Sequence, residues 1–270
     1  MQWKKLGLVF CPNQNHDWMW QYAAMPFAEP IGGDIYRIYF SARDTDNRSH
    51  MGYVDIDINT PQNIIKISDS PVMSPGALGT FDDSGTMGSW ITHYTGKKYL
   101  YYIGWNLGVP VPFRNSIGLA ILENGVFKKY SEGPVLDRNI HEPHFAASSC
   151  VLVEKGLWRM WYLSCTKWEI VKGKPRHYYH IKYAESKDGI HWKREGAVCI
   201  DFKDPREHAI SRPCVIKGKD CYKMWYSYRG DSYRIGYAES PDGVQWTRKD
   251  ELAGIDVSDN GWDSEMIEYP

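Results

Sequence analysis

Five carboxylates, Asp83, Glu207, Asp263, Glu265 and Glu268, stand at positions that recur along the chain and could do acid–base chemistry. Carboxylates crowded at one place cannot all ionise together, so at least one keeps a proton at neutral pH beside an ionised partner. Setting Ser149, Pro213 and Pro270 in register brings His144, His208 and Glu265 to one position, with Ser84 and Gln21 as weaker equivalents. Asp83 and Glu207 fall one residue earlier, Arg212 and Tyr269 directly precede the prolines, and Glu268 stands one residue before Tyr269. A structural strand needs only Val or Ser at such places. The density of polar groups therefore marks the five acids as the expected catalytic set, with Glu142 behind them as a binding residue.

His144 and His208 admit three readings: contacts to hydroxyls or to an anionic group of a ligand, ligation of a metal, or capping of strand ends. Structural metal sites usually use close-spaced pairs of Cys or His. His141-x-x-His144 falls short of such a set, and no metal or cofactor is expected. Arg212 carries a fork that pairs bidentately with carboxylate or phosphate. It either pairs with a neighbouring acid such as Glu268 or receives an anionic group, and Arg229 and Lys167 can join it. Trp105, Trp168 and Tyr228 end predicted strands and offer flat faces for stacking.

The elements that must position these groups are read from an internal repeat. Tyr183-Ala-Glu-Ser-Lys-Asp-Gly-Ile-His-Trp-Lys-Arg194 returns as Tyr237-Ala-Glu-Ser-Pro-Asp-Gly-Val-Gln-Trp-Thr-Arg248, an offset of 54. Upstream, Arg159-Met-Trp-Tyr162 returns as Lys223-Met-Trp-Tyr226, an offset of 64, and an insertion around residues 167–178 accounts for the difference. Fainter copies of Ile-Gly-Tyr-Ala stand at Met51-Gly-Tyr-Val54 and Ile117-Gly-Leu-Ala120. Asp-Gly between strand signals is a strong hairpin cue, and no window shows helical periodicity. Four antiparallel strands in each roughly 60-residue unit describe a β-propeller blade. The expectation is a single all-β domain over residues 1–270, a five-bladed β-propeller with four blades complete. Gly261–Pro270 then begins an incomplete fifth blade, which Leu6–Phe10 can supply with a strand unless the native chain runs roughly 30–50 residues further.

Composition excludes several classes. Lys plus Arg total 32 against 33 Asp plus Glu, which gives no electrostatic reason to expect nucleic acid or an anionic membrane. No stretch approaches the ~20 apolar residues that cross a bilayer, and the amino terminus lacks a signal-peptide core. The six cysteines form no Cys-x-x-Cys pair and read as reduced thiols, so a cytoplasmic protein is expected. There is no Gly-x-Gly-x-x-Gly, Walker loop or nucleophile elbow. Trp161, Trp192, Trp225 and Trp246 recur at fixed repeat positions and read as core.

The Tyr-Ala-Glu-Ser-x-Asp-Gly-x-x-Trp pattern, preceded by Met-Trp-Tyr, resembles the five-bladed propellers of glycoside hydrolase families 32, 43, 62, 68 and 130 over residues 22–270. In those families acids on the inner strands converge on a central funnel. The resemblance implies one Asp as nucleophile or base, one Glu as general acid and another Asp that tunes the acid or orients the sugar. Glu268-Tyr-Pro270 resembles the Glu-Gly-Pro of the family 43 acid, in a different blade. The first blade reads Tyr22-Ala-Ala-Met-Pro26 where families 32 and 43 place an Asp before the Pro, so the usual nucleophile position is empty. Three functions follow from the resemblance: an enzyme that hydrolyses or transfers a glycosidic bond, a phosphorylase like family 130, or a non-catalytic carbohydrate-binding propeller. The expected ligand is a saccharide, and the anion reading of Arg212 makes it acidic or phosphorylated, or adds inorganic phosphate. The oligomeric state is not legible.

Overall fold

Aromatic and β-branched residues broken by Gly and Asp turn signals form strands through most of residues 3–270, which the computed structural model describes. Single 3-10 turns occur at Asp17–Met19 and Asp250–Leu252. Among the described residues, no helix is long and apolar enough to cross a membrane. The chain forms two compact units, one of Lys4–Val109 with Phe113–Pro134, the other of Val135–Pro270 with Trp3 and Pro110–Pro112.

The first unit carries an eight-stranded sheet made of two antiparallel meanders. Strands β1 (Gln21–Gly32), β2 (Ile35–Arg43), β3 (Ser49–Asp57) and β4 (Ile64–Ile67) form one. Strands β5 (Gly85–Tyr94), β6 (Lys97–Leu107), β7 (Phe113–Glu123) and β8 (Val126–Lys129) form the next, joined to it by a parallel bridge between Ser49 and Gly85. The second unit repeats this plan. Its meanders are β9 (Ala146–Glu154), β10 (Leu157–Val171), β11 (Lys174–Ser186) and β12 (Val198–Ile200), then β13 (Ala209–Lys217), β14 (Tyr222–Arg229), β15 (Tyr233–Ser240) and β16 (Thr247–Arg248). A parallel bridge between Tyr179 and Ala209 joins them. The expected all-β, four-stranded repeats are present, and the insertion at residues 167–178 is a lengthened β10–β11 hairpin.

The repeated residues have repeated jobs. In the turn after the third strand, Gly189 N–H donates to Ser186 Oγ at 2.9 Å, and Ile190 and His191 N–H donate to Asp188 Oδ1 at 2.8 Å. Gly243, Ser240 and Asp242 repeat the arrangement. Gly189 and Gly243 take φ values of 75° and 81°, which a Cβ would disfavour. The Ile-Gly-Tyr glycine is explained across the strands: Tyr102 pairs with Gly118 and Tyr226 with Gly236. Each ring lies over its glycine, and a Cβ on Gly236 would meet Tyr226 Cε2 at 2.4 Å. We expect Gly236→Ala to destabilise the protein by about 1–3 kcal/mol through overpacking. A urea midpoint equal to that of the parent would show that the ring can move aside.

Three expectations differ from what is found. Leu6–Phe10 adds no strand; instead Val9 and Phe10 pack against a core with Phe40 and Val54. Gly261–Pro270 forms no strand: residues 261–265 turn, closed by Ser264 N–H to Gly261 O, and the rest is tied by Ile267 N–H to Tyr233 O and Tyr269 N–H to Ser227 Oγ. Trp161 and Trp225 are buried as expected, but Trp192 and Trp246, which lie ahead of the short fourth strands, are only half-buried. All six cysteines are free thiols, and three of them are buried.

Candidate active site

The register read from the sequence appears in the backbone as a recurring bulge. Met25, Ser148, Arg212 and Tyr269 adopt positive φ of 53°, 31°, 54° and 64°, each directly before Pro26, Ser149, Pro213 or Pro270. The strand register slips at the first three of these places. A bulge leaves one residue unpaired and re-aims its neighbours. The left-handed conformation costs a non-glycine residue about 1–3 kcal/mol, which the surrounding packing must sustain.

Several of the expected acids are held within their meanders. Glu142, 6% exposed, accepts from Tyr162 Oη at 3.0 Å and Ser164 Oγ at 3.2 Å, and pairs with Arg194 at 3.3 Å and Lys182 at 3.4 Å. Glu207, 7% exposed, pairs with Arg248 at 2.7 Å and accepts Lys203 N–H at 2.8 Å; Arg248 also reaches Asp250, which accepts from Tyr226 Oη. Asp82, which the sequence reading passed over for its neighbour Asp83, repeats the pattern with Tyr102 Oη at 3.0 Å and Lys129 at 2.6 Å. In all three the acid ahead of the first strand is joined to a second-strand Tyr, directly or through Asp250, and to a base near the fourth strand. They act as clasps. Asp263 is buried too and accepts from Ser258 Oγ at 2.9 Å.

Glu268 lies elsewhere in the second unit, at an end where several strands begin or finish. Its half-buried carboxyl has Tyr269 and Arg229 as neighbours; burial raises its pKa, opposed by the hydrogen bond from Tyr269 and the charge of Arg229. Tyr179 and Tyr233 share a hydroxyl–hydroxyl contact of 2.9 Å, and both experience the Glu268 charge. The Arg229 guanidinium stands over the Tyr233 ring, 5.0 Å from its centroid. His177 stacks on Tyr179 at 4.8 Å and meets the Trp168 ring edge-on at 5.3 Å, with Phe145 behind both. Burial lowers the His177 pKa to about 4, helped by the positive groups of His208, Arg229 and Arg176. His208 N–H donates to Arg229 O at 3.0 Å, and burial also lowers the His208 pKa. A protonatable carboxyl, paired phenols, imidazoles, an arginine and an indole thus meet in one cluster.

The other expected residues are placed as follows. Arg212 is 3% exposed, with its pKa lowered by burial and with Cys214, Tyr269 and Cys150 as electrostatic neighbours, so it lies beneath the surface that a ligand could touch. Tyr228 faces away from Arg229, as strand alternation requires. Arg248 lies over its ring at 5.4 Å, and it lines a cavity of about 290 Å³ with Asp204, Arg206, Glu207, Asp231 and Arg234. Glu265 is exposed and offers its backbone carbonyl to Arg234 at 3.1 Å. His144 is half-buried and His141 exposed. Lys167 is exposed and pairs with Glu169 at 2.5 Å. In the first unit, Trp105 is 6% exposed and donates to Ser49 Oγ at 2.6 Å, which leaves no free face for stacking. Burial works against the charge on Asp83, yet hydrogen bonds from Asn106 at 2.7 Å and from Gly79 N–H and Ser84 at 3.0 Å hold its pKa below the usual range.

The sequence reading missed Tyr179, Tyr233 and His177. Tyr179 and Tyr233 were findable, since they stand at the repeat offset of 54 just ahead of the Ile-x-Tyr-Ala signal. His177 lies in the hairpin extension and has no repeat equivalent to mark it.

No protein-family model matches the chain. Two proteins of Mycobacterium tuberculosis, the uncharacterized proteins MT1551 and Rv1502, are each 42% identical over 271 aligned residues, covering 100% of this chain and 90% of the relative. Among solved structures, a glycoside hydrolase superposes with a TM-score of 0.69 at 17% identity, covering 90% of this chain and 77% of its own. A complex of BT0996 with RGII gives 0.68 at 19% identity, with 90% and 77% covered. A thermostable family-43 glycoside hydrolase gives 0.62 at 16% identity, with 88% and 78% covered. The fold is that of the propeller glycoside hydrolases, and the chain belongs to the family of the M. tuberculosis proteins MT1551 and Rv1502.

Proposed function

We propose that this chain breaks or transfers a glycosidic bond, with Glu268 as the proton donor. In this reading the scaffold is a five-bladed propeller whose fifth blade opens at Gly261–Pro270. The observation that carries the proposal is the half-buried Glu268 carboxyl, whose pKa is raised by burial, beside Tyr179, Tyr233 and Arg229. Departure of a sugar through an oxocarbenium-like transition state needs a proton on the leaving oxygen, and a carboxyl with a raised pKa supplies it near neutral pH. Trp168 and His177 provide a wall on which a sugar ring can stack. Glu142, Glu207 and Asp263 serve the scaffold. The ligand is a saccharide; a fold neighbour captured in complex with RGII supports that class.

The sign of the pH dependence follows from the acid role. Glu268 must carry its proton, and its pKa is raised, so kcat/KM is high below that raised value and falls as pH climbs through it. The test is turnover of aryl-glycoside and oligosaccharide panels across a pH series. Glycosidase activity with such a falling alkaline limb is expected. Sugar binding by calorimetry with no panel member cleaved would instead favour a carbohydrate-binding propeller and sink the enzymatic reading.

A further inference from the structure

A second group of reactive side chains lies in the first unit. His50 stands near the start of β3, across from Ala42 on β2. An antiparallel bridge between Met51 and Met73 ties the link between β4 and β5 to β3, with Met51 N–H donating to Met73 O at 2.9 Å and Val72 N–H to Met51 O at 2.8 Å. One step along that bridge, Ser74 comes opposite His50. His50 Nδ1 lies 3.2 Å from Ser74 Oγ, and His50 Nε2 lies 2.9 Å from Asp44 Oδ2. The His50 and Asp44 side chains are only 11% and 8% exposed, whereas Ser74 is exposed. Asp44 is fixed by its own turn: Oδ1 accepts Arg48 N–H at 2.8 Å and Asp46 N–H at 3.0 Å, and Arg48 Nε shares Oδ2 at 3.0 Å. Burial works against the Asp44 charge, but hydrogen bonds from His50 and Arg48 hold its pKa below the usual range. An ionised carboxylate only accepts, so Nε2 carries the imidazole proton and Nδ1 turns a lone pair to the serine hydroxyl. His180 also pairs with a carboxylate, Asp201 at 3.1 Å, but its Nε2 is buried with no hydroxyl against it.

We propose that Ser74, His50 and Asp44 form a second catalytic site, which hydrolyses carboxylic esters of small acyl groups such as acetyl. A serine hydroxyl is a weak nucleophile until an adjacent base takes its proton, and a base held by a buried carboxylate is the arrangement that does so. Ser74 Oγ attacks the ester carbonyl carbon as His50 Nδ1 accepts the hydroxyl proton. The C–O bond to the alcohol then breaks, and the alcohol leaves with that proton. Water attacks the acyl-serine, giving a proton to His50; the acid is released and Ser74 takes the proton back, so water is the only co-reactant. Asp44 is a positioning residue that fixes the tautomer and orientation of the imidazole. Among the described residues Ser74 N–H has no acceptor, whereas Gly76 N–H is committed to Asp82 O at 3.0 Å. The Ser74 amide is thus left to meet the carbonyl oxygen as negative charge develops on it. An exposed serine gives a long acyl chain little apolar surface to bury, which selects a small acyl group. All three residues lie in the unit that does not carry Glu268, and the proposal stands apart from the glycosidic reading.

A fluorophosphonate probe and p-nitrophenyl acetate test the proposal on the full chain. The probe should label Ser74, read by peptide mass spectrometry, and labelling should abolish protein-dependent release of nitrophenol. Acid quenching during turnover should trap an acetyl group on Ser74. Ser74→Ala changes an exposed side chain, so the melting temperature should hold while turnover falls by about 10²-fold or more. His50→Gln should lose as much. Asp44→Asn should lower kcat with KM nearly unchanged, a split that a purely structural role in its turn would not give. Ser74→Cys puts another nucleophile in the same place and should still be acetylated by the ester. Ser70→Ala, at an exposed site on the same link, is the control and should match the parent. Absence of label on Ser74 in the folded chain, or turnover that Ser74→Ala leaves unchanged, overturns the proposal.

Discussion

Glu268→Gln is expected to lower turnover of a glycoside with a poor leaving group by about 10²–10⁴-fold, the usual contribution of a positioned general acid. Glutamine keeps the size and the hydrogen-bonding outline of the side chain but has no transferable proton. The loss should therefore depend on the leaving group. An alkyl or sugar alcohol departs only if protonated and should suffer the full effect. A nitrophenolate is already a stable anion and should depart almost as fast from the variant as from the parent. The falling alkaline limb should vanish at the same time, since the group that produced it is gone. A uniform loss across leaving groups would mean that Glu268 shapes the site without giving a proton. Neighbouring carboxyls can be compared in the same assay: Glu265→Gln changes an exposed side chain that offers only its backbone carbonyl to Arg234, so a much smaller effect is expected.

The second large effect concerns folding. Glu142→Ala removes the anion that holds Arg194 and Lys182, whose side chains are only 12% and 15% exposed, and it strips the acceptor from Tyr162 and Ser164. Removing one member of a buried pair leaves the other charges uncompensated, and we expect a loss of about 3–5 kcal/mol in denaturant unfolding. Glu142→Gln keeps an acceptor for the tyrosine hydroxyl and should cost less. A change below about 1 kcal/mol for Glu142→Ala would show that water repairs the clasp. If Glu142→Gln instead leaves stability intact and abolishes sugar binding, Glu142 is a ligand contact after all.

Much of this protein was legible residue by residue. Asp-Gly turns, the recurring Tyr-Ala-Glu-Ser segment and the absence of a helical period determined an all-β chain of four-stranded meanders. Each of those signals acts within a few residues of itself. The register of Ser149, Pro213 and Pro270 also carried through, because a bulge with positive φ ahead of a proline or serine is a local backbone event. It placed Glu268 level with Ser211, one residue before the level of Arg212 and Tyr269, before any contact was known.

Which acids are paired with buried bases was decided only by the tertiary structure. Glu142 and Glu207 look like site residues in one dimension, but Arg194 and Arg248 lie 52 and 41 residues away and close on them through strand pairing. Side chains alternate across a sheet, so Tyr228 and Arg229 face opposite ways, and each bulge shifts that alternation by one. Burial is likewise a sum over distant strands: it sank Arg212 beneath the surface and left Arg229 half-buried beside the Glu268 carboxyl. His177 joined the cluster because the lengthened β10–β11 hairpin carries it there, where it stacks on Tyr179. Local propensity determined the strands; the long-range packing of charges against one another determined which of them are held in pairs.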